Sequence, residues 1–165
     1  MEPTLQQRLA AIPIFARAFA ECPKDAEHLV GVLVAHRFEP GAVILEEGEE
    51  GTCCYILHRG RVRVEKKTPQ GDTYPVAVID AGANAVFGEP ALLATERRGA
   101  AIVADTEAQC YSLSKTDFDA MGDEHPRLGL LITREVARVQ AQRLAKTNND
   151  LVTLFTAFVS EIEEG

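Results

Sequence analysis

The residues best equipped for chemistry in this sequence stand close together, in the run Phe87-Gly88-Glu89-Pro90-Ala91-Leu92-Leu93-Ala94-Thr95-Glu96-Arg97-Arg98-Gly99-Ala100-Ala101. Gly88 is a turn glycine, Glu89 a carboxylate, and Pro90 suits the first position of a helical turn, where the N–H it lacks is not missed. A turn opened in this way leaves the next amides, beginning with that of Ala91, available to an anion. A phosphate matches such a donor set. Arg98 adds a planar guanidinium able to grip two phosphate oxygens together, while Gly99 and Ala100 let the backbone approach from the other side. Glu89 has the complementary chemistry: an ionised carboxylate only accepts hydrogen bonds, so it recognises hydroxyl groups such as those of a ribose. The same residues also admit a plainer account, an ion pair between Glu89 and Arg98 capping a surface helix.

Three kinds of sequence surround this run. Over about residues 4–35 apolar residues recur at helical spacing (Leu5, Leu9, Ile12, then Leu29 and Leu33), interrupted by Pro13 and Pro23, which predicts short helices joined by turns. From Phe38 to Ser114 the period falls to two, with Val43 and Leu45, Tyr55 and Leu57, Val62 and Val64, and Val76 and Val78 as inward pairs. Turn chemistry at Pro40-Gly41, Glu47-Gly48, Arg59-Gly60 and Gln70-Gly71-Asp72 separates the strands and predicts an antiparallel β-roll, a jelly-roll arrangement. Alternation places Arg59, Arg61 and Arg63 on its solvated outer face. Ser114 is an N-cap for a short helix, and Pro126 opens a long one running from Arg127 to about Ile162.

That long helix carries two stripes. Leu128, Leu131, Ile132, Val136 and Val139 are expected to pack on the roll. Leu130, Ala137, Ala141, Leu144, Asn148, Leu151, Phe155 and Phe158 recur in steps of four and three, with Arg134 filling one step, which is a coiled-coil seam. A single Asn on such a seam fixes register and two-strandedness, so the seam predicts a parallel homodimer; the alternative is a helix folded back on its own domain.

Composition narrows the function classes. The 165 residues make one domain, 1–165, divided into N-terminal helices (1–37), a roll with an embedded cassette (38–114, cassette 87–101) and C-terminal helices (115–165). With 17 Lys and Arg against 25 Asp and Glu, a net charge of −8 argues against direct nucleic-acid binding. No apolar run approaches the roughly 20 residues of a membrane span. The start, Met1-Glu2-Pro3 with Arg8 and Arg17 close behind, is neither a secretory core nor a transit peptide, so a cytoplasmic location is expected. Four cysteines at 22, 53, 54 and 110 lack metal-ligand spacing and are read as reduced thiols, with no metal site and no catalysis.

Taken together, Phe38-x-Pro40-Gly41, Ile44, Glu47-Gly48, Gly51, Tyr55-Ile56-Leu57, Gly60, Val62-x-Val64 and the cassette from Phe87-Gly88-Glu89 through Arg98-x-Ala100 resemble the cyclic nucleotide-binding domain family. The resemblance spans about residues 12–150 and takes in the sensor domains of catabolite activator-like proteins, without their DNA-binding domain, and the regulatory subunits of cAMP-dependent kinases. It implies an α+β fold, an antiparallel β-roll flanked by short N-terminal helices and a long C-terminal dimerisation helix. It also implies a ligand rather than a cofactor: cAMP or cGMP, with Gly99, which lacks a side-chain hydroxyl, tilting the choice to cAMP. Glu89 takes the ribose 2′-hydroxyl and Arg98 the exocyclic phosphate oxygens, with Gly88, Ala91, Gly99 and Ala100 as backbone neighbours. On the long helix, Arg143 falls at the ligand, Thr147 at the adenine amino group, and Asn148 at the ligand of the other subunit. Arg97 stands where relatives often carry Pro, Pro90 replaces a residue with a backbone donor, and Gly82-Ala83-Asn84-Ala85-Val86 is longer than the usual turn before the cassette.

Noncatalytic binding that passes a conformational change to a downstream protein is therefore the expected function, with Phe155, Phe158, Val159 and Ile162 as an apolar output surface. The alternative is an interaction scaffold of the same fold with an empty or repurposed pocket. A haem or iron–sulfur sensor needs gathered ligands, and a cupin-type enzyme needs clustered histidines where this roll offers His58 alone.

Overall fold

The computed structural model describes residues 4–82 and 85–164. Ala83 and Asn84, in the long turn before the cassette, lie outside the described residues, as do Met1, Glu2 and Pro3.

Three short helices open the chain: α1 (Leu5–Ala11), α2 (Pro13–Glu21) and α3 (Pro23–Val32). Thr4 caps α1 through a reciprocal capping box with Gln7, and Pro13 and Pro23 each begin a helix. Eight strands follow: β1 (Val34–Phe38), β2 (Val43–Leu45), β3 (Cys53–Arg59), β4 (Arg61–Lys67), β5 (Thr73–Asp80), β6 (Val86–Phe87), β7 (Ala101–Ala104) and β8 (Ala108–Ser114). A one-turn 3-10 helix, Glu89–Leu92, sits between β6 and β7. Two helices close the chain, α4 (Lys115–Glu124) and α5 (Pro126–Glu164).

The strands form two four-stranded antiparallel sheets, ordered β1-β8-β3-β6 and β2-β7-β4-β5, which face one another as a β-roll. The roll opens at Val34 rather than Phe38. Polar His36 and Arg37 disguise β1, whose order comes from pairing along β8. Inside the roll Leu45, Leu57, Val62, Phe87 and Ile102 form one apolar cluster. Arg61 and Arg63 stay on the outer face, both bridged to Asp105 and Arg63 also to Glu65.

Two of the expected inward pairs are corrected. Val76 and Val78 are 47% and 56% exposed, and Ala77 and Ile79 lie instead opposite the inward Val64 and Val62. A register shift between Val64 and Glu65 adds a residue to β5, and such a bulge swaps the faces along a strand. Val43 is likewise exposed although Leu45 is buried, again across a register shift.

A second cluster joins the helices to the back of the roll. Leu128, Leu131, Ile132 and Val136 of α5 are buried there with Leu9, Phe15 and Leu29 of α1–α3 and with the outward-facing Cys54, Ile56 and Leu113. The first stripe of α5 thus packs on the helices, chiefly α2 and α4, and reaches only the outer face of the roll. Ser114 caps α4 by accepting from the Asp117 amide. No described helix is long and apolar enough to cross a membrane.

Gly129 stands in the first turn of α5 where α4 crosses it at backbone contact: a Cβ there would sit 2.8 Å from the Gly122 Cα. Gly129→Ala should therefore lower stability by about 1–2 kcal/mol despite its better helix propensity, since overpacking against backbone outweighs the roughly 1 kcal/mol gain. Gly122→Ala, whose Cβ meets only an ordinary contact at 3.7 Å, should instead be neutral or stabilising. Urea unfolding midpoints of the two variants should move in opposite directions or differ by at least this amount.

Candidate functional site

Gly88 has φ 74°, in the left-handed region, and turns the chain from β6 into the 3-10 helix. The turn carries Glu89 inward. At 2% exposure it is the one buried charged residue among those described. Arg143, from the second turn beyond the anchored part of α5, places Nη1 2.5 Å from Glu89 Oε1, and Gln140 donates from Nε2 to the same oxygen at 3.3 Å. Burial of an unpaired carboxylate is prohibitively costly, so these two groups of α5 permit its place in the interior.

Arg98 and Arg97 diverge. Arg98 is half-buried, and its guanidinium donates to the Cys53 carbonyl at 2.5 Å and to the Gly88 carbonyl at 3.2 Å. It lies over two glycines: a Cβ on Gly51 would fall 3.0 Å from its Cζ, and one on Gly88 2.6 Å from its Nη1. Its Nε is buried without a hydrogen-bond partner among the described residues. Arg97 is exposed and donates to the Gly48 carbonyl at 2.8 Å.

These residues surround a cavity of about 460 Å³ whose wall includes Leu45, Lys66, Gly88, Glu89, Pro90, Ala91, Arg98, Gly99, Ala100, Ile102 and Arg143. Glu96 and Arg97 complete its rim. With Glu89 paired to Arg143, the remaining lining is cationic in a protein of net charge −8, and it favours an anion.

The amide expected to be free is not. Ala91 N–H donates to the Gly88 carbonyl at 3.2 Å, because the tight 3-10 turn closes that bond. The unpaired donors are instead those of Gly99 and Ala100, whose amides find no partner among the described residues. An anion beside Arg98 would meet this pair of N–H groups and the positive charge of the guanidinium, and would reach the enclosed Nε once the guanidinium turned towards it. A hydroxyl would meet the carboxylate of Glu89.

Of the residues singled out from sequence, Gly88, Glu89, Ala91, Arg98, Gly99, Ala100 and Arg143 come together in this cavity. Thr147 and Asn148 do not; they stand exposed further along α5. Lys66 and Gln140 were not singled out. Lys66 continues the inward alternation of Val62 and Val64, and Gln140 lies one helical turn before Arg143, so each had a periodic signal.

Among the described residues no group of three or more His, Cys, Asp or Glu is placed to hold a metal ion. His36 joins His58 on the roll, where its Nε2 is 2.8 Å from Ser112 Oγ. All four cysteines are free thiols. Burial, and after it the neighbouring Glu89, pushes the Cys54 thiol up to about 12, and burial does the same to Cys110.

The family model described as "Cyclic nucleotide-binding domain" matches residues 35–125. The chain is 31% identical over 151 residues to the potassium/sodium hyperpolarization-activated cyclic nucleotide-gated channel 4 of Homo sapiens, covering 87% of this chain and 11% of that protein. It thus spans about a tenth of the length of that relative. Among solved structures it is similar to the N-terminal domain of a transcriptional regulator from Streptomyces coelicolor, at 26% identity and TM-score 0.71, covering 87% of this chain and 94% of that one. The catabolite activator protein of Thermus thermophilus shares the fold at 24% identity and TM-score 0.71, covering 83% and 62%.

Alkylation with iodoacetamide at pH 8 reads the thiol environment. The thiolate is the nucleophile, so native Cys54 should react about a thousandfold more slowly than an ordinary thiol near pKa 9, and at the ordinary rate once urea unfolds the chain. Mass spectrometry of the labelled peptides provides the check.

Proposed function

The chain belongs to the cyclic nucleotide-binding domain family, and we propose that it is a regulatory module that binds cAMP, or its guanine counterpart, and transmits occupancy through α5. The observation that carries this reading is the Arg98 guanidinium, held beside the cavity with a buried Nε that finds no acceptor among the described residues. A buried donor left unsatisfied costs about 1–3 kcal/mol, which an exocyclic phosphate oxygen would recover once the guanidinium turns towards it. Gly99 and Ala100 then donate to the same phosphate, Gly88 shapes the turn, Ala91 walls the sugar, and Glu89 accepts from the ribose 2′-hydroxyl. Arg143 borders the ribose end. Thr147 faces the base, and Asn148 reaches the ligand of a second subunit.

That second subunit is a copy of this chain. The seam residues Leu144, Leu151, Phe155 and Phe158 are all more than 60% exposed, and the heptad containing Asn148 suits a parallel two-stranded coil. The far end of the helix, with Phe155, Phe158, Val159 and Ile162, forms the output surface towards a downstream protein. A second reading has its own support. Arg98 already donates to two carbonyls and Glu89 already has Arg143, so an interaction scaffold with an unused pocket has partners for both charged groups, the Arg98 Nε excepted.

Titration calorimetry separates the two. Wild-type protein should bind cAMP or cGMP saturably, and Arg98→Ala should weaken binding by about 2–5 kcal/mol, roughly thirtyfold or more. Absence of binding to either nucleotide would overturn the sensing reading and support the scaffold. Sedimentation equilibrium should show a dimer that dissociates in the double variant Phe155→Ser, Phe158→Ser; a monomeric wild type would remove the seam from the account.

A further inference from the structure

Glu89 is held by α5 in two different ways. Arg143 Nη1 lies 2.5 Å from Oε1 and supplies charge. The single hydrogen bond that the carboxylate accepts among the described residues comes from Gln140, whose Nε2 is 3.3 Å from the same Oε1. Oε2 accepts none from any described residue. A carboxylate with one oxygen tied to the helix and the other open has one direction in which it presents its lone pairs.

We infer that Gln140 is a positioning residue: it fixes the rotation of the Glu89 carboxylate so that Oε2 is presented to a ligand's 2′-hydroxyl. This rests on the cyclic nucleotide reading above. Arg143 cannot do this work alone, because attraction to a charge constrains distance far more than orientation, whereas a hydrogen bond constrains both. Gln140 is also neutral, so it orients the carboxylate without adding to the cationic lining that binds phosphate. Ligand and helix then use different oxygens of one buried group and do not compete for it. By linkage each strengthens the hold of the other, so ribose recognition and the docking of α5 are reciprocal. Gln140 therefore sets how strongly the site distinguishes a ribose from a deoxyribose, and leaves recognition of the phosphate to Arg98, Gly99 and Ala100.

The test compares cAMP and cGMP with their 2′-deoxy analogues by calorimetry on the full chain. Wild type should prefer the 2′-hydroxyl form by about tenfold or more, as expected for a hydrogen bond to a charged group. Gln140→Leu should reduce that preference to about threefold or less, with affinity for the deoxy analogue nearly unchanged. Gln140→Lys, which retains a donor of similar reach, should keep most of the preference. Thermal unfolding of each variant shows whether it is folded. Equal weakening of both analogues by Gln140→Leu, or an unchanged ratio, would overturn the positioning role while leaving nucleotide binding standing. A wild type that binds neither nucleotide overturns the cyclic nucleotide reading and this inference with it.

Discussion

A carboxylate with 2% exposure, at the head of a one-turn helix, must be compensated from somewhere, and Glu89 is compensated from a residue more than fifty positions away along the chain. That requirement ties together parts that would otherwise be independent. The left-handed turn at Gly88 aims Glu89 inward, and α5 has to pass close enough for Arg143 and Gln140 to reach it. α5 can pass there because its first turns are buried against α2 and α4, with Gly129 allowing backbone contact at Gly122. The N-terminal helices, which contribute no group to the cavity, thereby fix where the wall of the cavity stands.

Arg98 shows the same logic on the opposite wall. Its guanidinium occupies space that two side chains would fill if residues 51 and 88 were not glycine, and carbonyls of β3 and of the turn hold it in place. Donors at Arg98 Nε, Gly99 and Ala100 are left without acceptors among the described residues, while the acceptor at Glu89 is buried and tied to α5. A site that separates its donors from its acceptor in this way suits a small molecule with an anionic end and a hydroxylated end.

Much of this was readable along the chain, and what was not has identifiable causes. The N-cap at Ser114, the start of the long helix at Pro126 and the buried stripe of its first turns follow from local chemistry and period, which do not depend on tertiary context. Glu89 and Arg98 were recognisable because their residue types and separation already describe a phosphate and sugar site. Strand β1 was obscured because its order comes from β8 and not from its own alternation. The exposure of Val76 and Val78 depends on a bulge that no period can announce. The Ala91 amide depended on whether the turn was α or 3-10, since only the tighter form closes a bond to Gly88. Gln140 reads as an ordinary helix-surface residue until its distance to Glu89 is known.

The length of α5 has a mechanical meaning. Its 39 residues extend about 58 Å at 1.5 Å per residue, and only the first third is embedded in the domain. Past Arg143 the helix is a cantilever of some 30 Å, so each degree of pivoting at its root sweeps the tip through roughly half an ångström. A pivot of about ten degrees at Arg143 would carry Phe155 and Phe158, roughly 20 Å further along, through about 3–4 Å.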